Sequence, residues 1–347
     1  MAAYHEEVKN KLTLKLREIL KELPNFCREY FLSLANNTEI RTRVAYGYDL
    51  KIFFGFLVEE CPKFEGKNIK DITIEDLGKV TATDLNEFMG YTEYYINSEG
   101  EEMSNKEKGK SRKLAAVRSL FKYFYRMEKI TANPAALVET PKIHEKEIVR
   151  LEPNETAELL DVIENGEKLT DGEKRYFGKN GKRDLAIVTL LLGTGMRVSE
   201  CVGIDINDVN FDVNGVKITR KGGNEMVVYF GNEVEKALRD YLEERVKIEP
   251  KQGSENALFL SMQNRRIGVR SVEKLVKKYA QKVTVLKKIS PHKLRSTYGT
   301  TLYNETGDIY LVADVLGHKD VNTTRKHYAQ MQDDNRRKAA RAVKLRD

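Results

Sequence analysis

Apolar residues recur three or four positions apart along most of the first 127 residues, and this spacing predicts amphipathic helices. The stretches that carry it are 3–22, 26–34, 40–58 and 104–127. Ser104 and Glu107 have the spacing of a capping box at the start of the last stretch. The polar run 97–103 before it predicts a loop. The first part of the chain is therefore predicted to be an all-helical bundle.

The second part of the chain combines helical and strand patterns. A strongly apolar run over 183–192 predicts a buried central helix. Strand-like segments at 209–218 and 225–230, with a turn signal at Asn214–Gly215, predict a small antiparallel sheet. The polar segment 165–182 is expected to be an excursion between helices, with no assigned role. Further helices are predicted over 153–163, 232–246, 271–283 and 308–316.

Prolines and a charged, extended segment punctuate the middle of the chain. Asn133–Pro134 and Thr140–Pro141 interrupt the helical pattern, and residues 142–150 are charged and without helical period. The expected fold class is mainly α with a small antiparallel β-sheet. The predicted parts are a helical N-terminal domain over 1–142, a linker over 143–151 and a second domain over 152–347.

The composition is basic, with 60 Lys and Arg against 53 Asp and Glu, a net charge of +7 and an isoelectric point near 9.0. This excess favours a nucleic-acid partner, and the alternative is a soluble protein with a lysine-rich surface. Cys27, Cys61 and Cys201 lack metal-ligand spacing and are expected to be reduced, buried thiols. No apolar run approaches the roughly 20 residues that span a bilayer, and the start lacks a signal-peptide pattern. We expect no membrane partner and a cytoplasmic location, associated with the nucleoid if DNA is the partner.

One predicted helix of the first domain concentrates positive charge. Because the charges have nearly one sign over two turns, they predict a surface that faces the phosphates of DNA. The alternative is an ordinary solvated helix face. The residues are Lys106, Lys108, Lys110, Arg112, Lys113 and Arg118.

Candidate chemistry is concentrated between residues 290 and 328. A Ser-Pro start predicts a helix that places His292 and Arg295 three positions apart on one face. A glycine ends the predicted helix 308–316, so His318 is expected to project from the turn that follows. Tyr328 follows in a polar setting. A histidine, an arginine, a second histidine and a tyrosine on successive helix boundaries suggest a phosphate site with a nucleophile.

Two upstream residues complete this set. Arg197 lies at a helix junction after the apolar run, where its guanidinium can point into a cleft, and Glu200 one turn later can orient it. Lys221 lies at the lip of the turn between the two strand-like segments. The site is therefore expected to be assembled from distant parts of the second domain.

The chemistry of these groups suits a phosphodiester. Arg197 and Arg295 present planar forks of donors that can hold phosphate oxygens and stabilise the added charge of a transition state. A tyrosine has a pKa of about 10, so only about 0.1% is ionised at neutral pH and a base is needed. His292 is the candidate base, and Lys221 can protonate the departing oxygen. His292, His318 and His327 as zinc ligands are the weaker alternative, since their spacing fits no familiar zinc pattern.

These motifs resemble the catalytic signature of the tyrosine recombinases. They occur in that family's order and approximate spacing, and the likeness covers roughly residues 152–330. It is closest to Xer-like recombinases and to integrases of mobile elements. The segments that carry it are Thr194–Glu200, Lys221, His292–Arg295, Leu316–His318 and His327–Tyr328.

The resemblance implies a helical-bundle core-binding domain and a tyrosine-recombinase-like catalytic domain that close around double-stranded DNA. It implies that Tyr328 attacks the scissile phosphate and leaves a 3′-phosphotyrosine and a free 5′-hydroxyl. Arg197, Arg295 and His318 would hold the phosphate, with Lys221 as general acid and His292 as general base. Because the covalent link keeps the bond energy, no metal, ATP or other cofactor is expected.

The resemblance also implies strand exchange through a Holliday junction by a homotetramer on two DNA sites. We expect each site to consist of inverted half-sites, and the C-terminal tail 331–345 to contact a neighbouring protomer. Two alternatives stay open: a topoisomerase-like enzyme that cleaves and rejoins DNA without synapsis, and a DNA-binding accessory protein. Chromosome dimer resolution, element integration and element excision all share this chemistry.

Overall fold

The computed structural model describes residues 2–97, 100–143, 148–220, 223–318, 320–322 and 324. The chain divides into two compact units: His5–Lys146, and Met1–Tyr4 together with Glu147–Asp347. The linker predicted over 143–151 contains residues outside the described ranges, so the domain boundaries stay a prediction. Within the described ranges, every helix is too short or too polar to cross a bilayer.

The first unit is built on helices with an aromatic core. Phe53 lies edge-on to Phe88 and Phe121, with ring centroids 5.2 and 6.3 Å apart. Each such pair stabilises the fold by about 0.5–1.5 kcal/mol beyond the burial of its area. Because the three rings belong to three helices, they join α3, α5 and α6. The helices are α1 (Ala2–Leu20), α2 (Cys27–Ser33), α3 (Ile40–Glu60), α4 (Ile74–Leu77), α5 (Ala82–Tyr91) and α6 (Glu107–Arg126), with single 3-10 turns at Pro62–Phe64, Ile69–Asp71 and Pro134–Ala136.

A β-hairpin lies where the sequence predicted a loop in an all-helical unit, so that expectation is wrong. Strand β1 (Tyr94–Ile96) pairs antiparallel with β2 (Glu102–Ser104). Ser104 therefore ends a strand, and α6 begins after Lys106 without a side-chain cap, so the predicted capping box is also wrong. Only Tyr95 is buried in β1. Three residues are too few for a period of two to be recognised.

The second unit packs its helices around α8, which confirms the predicted central helix. Residues 186–191 of α8 are buried, Leu185 and Leu192 beside them are partly buried, and the helix contacts α7, α10 and α12. The helices are α7 (Pro153–Asn165), α8 (Asp171–Thr194), α9 (Val198–Cys201), α10 (Asn232–Arg245), α11 (Val269–Val283), α12 (Pro291–Thr306) and α13 (Ile309–Leu316), with a 3-10 turn at Ile206–Asp208.

The polar segment 165–182 forms a helix from Asp171 onward, where the sequence predicted an excursion. Thr170 and Glu173 make a capping box, with the Thr170 amide donating to Glu173 Oε2 at 2.8 Å. Lys282 of α11 forms an ion pair with the same carboxylate at 2.9 Å. These contacts hold the pKa of Glu173 near 2, mainly through the Thr170 backbone and then through Lys282. The segment thus adds three polar turns to the central helix.

A three-stranded antiparallel sheet completes the second unit. Its order is β3 (Val209–Asn210), β4 (Gly215–Thr219), β5 (Glu225–Tyr229). Val216 lies opposite Val228, and both are buried in the core of the unit. The structure confirms the predicted fold class, mainly α with small antiparallel sheets.

We expect Thr170→Val to lower the free energy of unfolding by about 1 kcal/mol, because it removes the cap of α8 while keeping the branched side chain. Thr301→Val is the matched control, since Thr301 is an exposed threonine within α12, and it should change stability by less than about 0.5 kcal/mol. Urea denaturation followed by circular dichroism measures both. Equal effects would show that the cap does not hold this segment.

Candidate active site

The carboxyl end of α13 is the centre of the candidate site. The helix begins at Asp308, whose Oδ1 accepts hydrogen bonds from the amides of Tyr310 and Leu311 at 2.8 and 3.1 Å. It ends at Gly317, which has a φ of 63°. There the Gly317 amide donates to Asp314 O at 2.8 Å and the His318 amide to Ala313 O at 2.9 Å. This pair of bonds is a Schellman motif, and it turns the chain sharply so that His318 leaves the helix end, as the sequence predicted.

Three arginines donate to the last carbonyl oxygens of this helix and its turn. Arg295 of α12 donates through Nη2 to Leu316 O. Arg220, directly after β4, donates through Nη2 to Val315 O at 2.6 Å and through Nη1 to Asp314 O at 3.3 Å. Arg197 donates through Nη2 to Gly317 O at 3.4 Å. Four successive carbonyls, 314 to 317, thereby meet guanidinium groups from three elements. Cations are favourable here because the carboxyl end of a helix is the negative end of its dipole.

Arg295 is the buried member of the cluster, with 5% of its surface exposed. Its Nη1 also donates to Gly195 O at 2.6 Å, so it bridges the end of α8 and the end of α13. His292 lies three residues earlier on the same helix but is exposed. The helix begins as predicted, with Ser290 at the N-cap and Pro291 in the first turn, although Ser290 makes no side-chain cap bond.

No side chain fits at Gly195, whose carbonyl oxygen accepts from Arg295. Its φ is 62°, and a Cβ there would overlap the Tyr298 ring and lie 2.9 Å from Leu316 Cδ2. An L-residue would therefore meet both strain and collision. Burial raises the pKa of Tyr298, which keeps this neighbouring phenol protonated.

Glu200 holds Arg197 in place. The Glu200 carboxylate accepts the Arg197 backbone amide at 2.7 Å and its Nη1 at 2.9 Å. The Glu200 side chain is 3% exposed, whereas that of Arg197 is 36% exposed. A buried carboxylate thus aims a guanidinium that solvent still reaches, and this is the arrangement that the expected orienting role requires.

The ring of His318 is held by a buried hydroxyl. Its Nδ1 lies 2.7 Å from Thr324 Oγ1, and Thr324 is fully buried. This contact fixes which ring nitrogen faces away from Thr324, namely Nε2. Lys221 and Tyr328 lie outside the described residues, as does His327, so their predicted places in the site stay predictions.

Charge at the helix end is mostly positive. Arg197, Arg220 and Arg295 supply three guanidinium groups, and Glu200 is the carboxylate bound among them. Burial lowers the pKa of Arg220, Glu200 raises it and Arg197 lowers it. Arg220 therefore lies within electrostatic reach of Glu200 and Arg197. Such a cluster is suited to bind an anion with several oxygens, and a phosphodiester is one. Arg220 had no signal of its own in the sequence, because arginine at the edge of a hairpin turn is usually solvated.

The basic helix α6 is divided by its packing. Lys106 and Lys108 are exposed. Lys110 pairs with Glu93 at 2.5 Å, and Arg112 pairs with Asp49 at 2.6 Å.

Two residues of the predicted phosphate-facing set point inward. Lys113 is buried and donates to Asn105 Oδ1 at 2.9 Å, while Arg118 donates to Ala135 O at 3.1 Å. The helical period explains Lys113, since it lies four residues before buried Val117 on the core face. Lys113 therefore presents no charge to solvent, whereas Arg118 is half-buried, with its guanidinium donating also to Thr140 Oγ1 at 2.6 Å.

Asp49, a neighbour of Lys113, is itself buried. Burial raises the pKa of Asp49 to about 6, although Arg112 and Lys113 lower it. Burial lowers the pKa of Lys113, and Asp49 raises it. This cluster belongs to the core of the first unit.

One group of candidate metal ligands occurs among the described residues, formed by Cys61, Asp84 and Glu87. Asp84 already accepts the Thr81 amide at 2.7 Å and Lys63 Nζ at 2.8 Å. Burial raises the pKa of the Cys61 thiol to about 11, so the thiolate that binds metals is disfavoured. The group is explained by the cap of α5. All three cysteines are buried and unbridged, as expected.

Comparison with known proteins bears directly on these motifs. The model of the phage integrase family matches residues 149–335. The tyrosine recombinase XerC of Caldanaerobacter subterraneus subsp. tengcongensis is 34% identical over 337 residues, which cover 94% of this chain and 86% of the relative. The tyrosine recombinase XerS of Streptococcus thermophilus is 32% identical over 347 residues, covering 91% and 95%.

Solved structures share the fold. The XerH site-specific recombinase bound to palindromic difH substrate has a TM-score of 0.66 at 20% identity, covering 95% of this chain and 89% of that one. The Tn1549 transposon integrase in complex with circular intermediate DNA has a TM-score of 0.60 at 20% identity, covering 87% and 94%. The chain therefore belongs to the phage integrase family, the family of the tyrosine recombinases, as its motifs predicted.

Proposed function

We propose that this protein is a site-specific recombinase that cleaves and rejoins duplex DNA through a covalent link to Tyr328. The observation that carries the proposal is the arginine cluster at the end of α13, where Arg197 and Arg295 meet beside His318. Family membership and relatives named as tyrosine recombinases support it. A cluster of this kind can bind a phosphate but supplies no nucleophile of its own. Tyr328, which follows His318 by ten residues, is the candidate nucleophile.

Arg197 and Arg295 hold the non-bridging oxygens of the scissile phosphate. Both guanidiniums are anchored by carbonyl or carboxylate groups, so little reorganisation is needed when charge develops on the phosphate. His318 contributes its Nε2, because its Nδ1 is engaged with Thr324. In the Nε2-protonated form, with the Thr324 hydroxyl donating to Nδ1, the ring donates to a phosphate oxygen.

The reaction is a transesterification that can be written in full. His292 takes the phenolic proton as Tyr328 oxygen forms a bond to phosphorus. The bond from phosphorus to the 5′-oxygen breaks, and that oxygen takes a proton from the Lys221 ammonium. The products are a 3′-phosphotyrosine and a free 5′-hydroxyl, and attack by a 5′-hydroxyl of a partner strand reverses the steps.

The DNA substrate and the oligomeric state are part of the same proposal. The substrate is double-stranded DNA with inverted half-sites, and exchange proceeds through a Holliday junction in a homotetramer on two sites. The palindromic substrate of the XerH complex supports inverted half-sites. The tail 331–345 contacts a neighbouring protomer, and the enzyme acts in the cytoplasm on nucleoid DNA. The DNA-facing surface extends to the exposed Lys106, Lys108 and Arg112 of α6 and its N-cap, and to the half-buried Lys110 between them.

We expect Tyr328→Phe to abolish the covalent protein–DNA adduct on a nicked suicide substrate, by more than about 10³-fold, because no other group replaces the nucleophile. Tyr310→Phe is the matched control, since Tyr310 is a tyrosine of α13 that is 70% exposed, and it should leave adduct formation unchanged. Denaturing gel electrophoresis measures the adduct. An adduct that persists in Tyr328→Phe would sink the assignment, and wild-type protein that binds its site without any adduct would favour an accessory protein.

The same assay with two sites on separate duplexes separates recombination from topoisomerase-like rejoining. Recombinant duplexes from wild-type protein support synapsis. Rejoining of each duplex only to itself, with a normal adduct, would contradict the tetramer.

We expect salt dependence to distinguish the exposed from the buried lysines of α6. Removing one phosphate contact lowers the slope of log K against log salt by about 1, so Lys108→Met should do this if the exposed part of α6 faces DNA. Lys113→Met is the matched change on the same helix, and it should leave the slope unchanged because Lys113 is buried. Fluorescence anisotropy over a salt series measures both slopes. The reverse pattern would place DNA elsewhere.

A further inference from the structure

Arg220 joins the turn between β4 and β5 to the end of α13. Its side chain is half-buried, and its two terminal nitrogens donate to Val315 O at 2.6 Å and Asp314 O at 3.3 Å. No element of the proposed reaction uses it. It immediately precedes Lys221, the proposed proton donor.

The backbone of Arg220 also closes the turn that carries Lys221. The Arg220 amide donates to Asn224 O at 2.8 Å, and the Gly223 amide donates to Arg220 O at 3.0 Å. Gly223 and Asn224, which follow Lys221 by two and three residues, are thus bonded to the Arg220 backbone, while the Arg220 guanidinium is bonded to α13. One residue therefore links the base of the turn to the helix end.

The fit at the helix end is tight. Gly317 lies so close to the Arg220 guanidinium that a Cβ on Gly317 would overlap it. The next residue is His318, whose ring Thr324 holds. Arg220 also lies within electrostatic reach of Arg197 and Glu200. Arg220, at the base of the turn, thereby lies among the groups that are proposed to hold the phosphate.

We propose that Arg220 is a positioning residue that fixes the Lys221 turn against the carboxyl end of α13 and so sets the proton donor at the leaving 5′-oxygen. This inference rests on the proposed function, because it takes Lys221 as the general acid. Arg220 touches backbone carbonyls in the structure, so its effect is exerted through Lys221. The competing explanation is that Arg220 only caps α13, in which case its loss would impair every substrate equally.

A substrate with sulfur in place of the bridging 5′-oxygen separates the two explanations. Its phosphorus–sulfur bond breaks to release a thiolate, which needs no proton from Lys221. We expect Arg220→Met to slow adduct formation on normal DNA roughly 10- to 100-fold, the range of a displaced catalytic group. On the sulfur substrate, Arg220→Met should recover most of the rate of adduct formation that it loses on normal DNA. Lys221→Ala should recover its rate in the same way.

Lys217→Met is the matched control, since Lys217 is an exposed cation of the same hairpin, paired with Glu225 at 2.7 Å. It should change neither rate by more than about 2-fold. Arg220→Lys serves as a second variant if Arg220→Met does not fold, because it keeps a charge at the helix end without the planar fork. We expect Arg220→Lys to recover its rate of adduct formation on the sulfur substrate in the same way.

Suppose that Arg220→Met slows adduct formation equally on both substrates while Lys221→Ala recovers its rate on the sulfur substrate. This result overturns the inference and leaves the proposed function standing. If Lys221→Ala itself does not recover, the general-acid assignment is wrong and the role of Arg220 in proton donation falls with it, and hydrogen exchange then decides only whether Arg220 fixes the turn. Faster amide exchange at 223–225 and 316–318 in Arg220→Met, but not in Lys217→Met, supports the positioning contact. Unchanged exchange in both segments overturns it.

Discussion

The second unit depends on how the carboxyl end of α13 is satisfied. A helix leaves its last four carbonyls without intrahelical partners, and burying them unpaired costs free energy. Here the Schellman turn at Gly317 satisfies the carbonyl oxygens of Ala313 and Asp314. The carbonyl oxygens of residues 314 to 317 also accept hydrogen bonds from guanidinium groups of α12, of the β4–β5 turn and of the start of α9. A structural requirement of one short helix thereby gathers three cations from segments spread over about one hundred residues of the sequence. Two of these cations, Arg197 and Arg295, are the groups proposed to hold the phosphate, so the fold and the proposed chemistry share hydrogen bonds.

Two glycines make this gathering possible. Gly195 and Gly317 both adopt a positive φ, and a side chain at either would collide with a neighbour, Tyr298 in the first case and Arg220 in the second. At Gly317 the bare backbone leaves room for the Arg220 guanidinium, and at Gly195 it leaves room for the Tyr298 ring and for Leu316. The motif segments Thr194–Glu200 and Leu316–His318 therefore each depend on a glycine for their backbone shape as well as on side chains for the proposed chemistry.

The sequence predicted the features that a few neighbouring residues determine. The apolar run of α8, the Ser-Pro start of α12 and the glycine end of α13 each carry a signal within a few residues, and each was confirmed. What it missed depends on contacts distant in sequence. The helix over the polar segment 171–182 is held by its capping box and by Lys282 more than one hundred residues later. Lys113 could have been recognised as a core residue from the helical period, whereas Arg220 could not, since its partners in α13 become visible only in the fold.

The most direct measurement compares Gly317→Ala with Gly307→Ala in the suicide-substrate assay. Both glycines end a helix at a φ above 60°, but a Cβ at Gly307 meets open space, whereas one at Gly317 displaces the Arg220 guanidinium. Backbone strain is thus common to both variants, and only Gly317→Ala disturbs the arginine cluster. If the cluster builds the site, Gly317→Ala slows adduct formation roughly 10- to 100-fold with DNA affinity retained, and Gly307→Ala slows it little. Equal, small effects in the two variants would contradict the account.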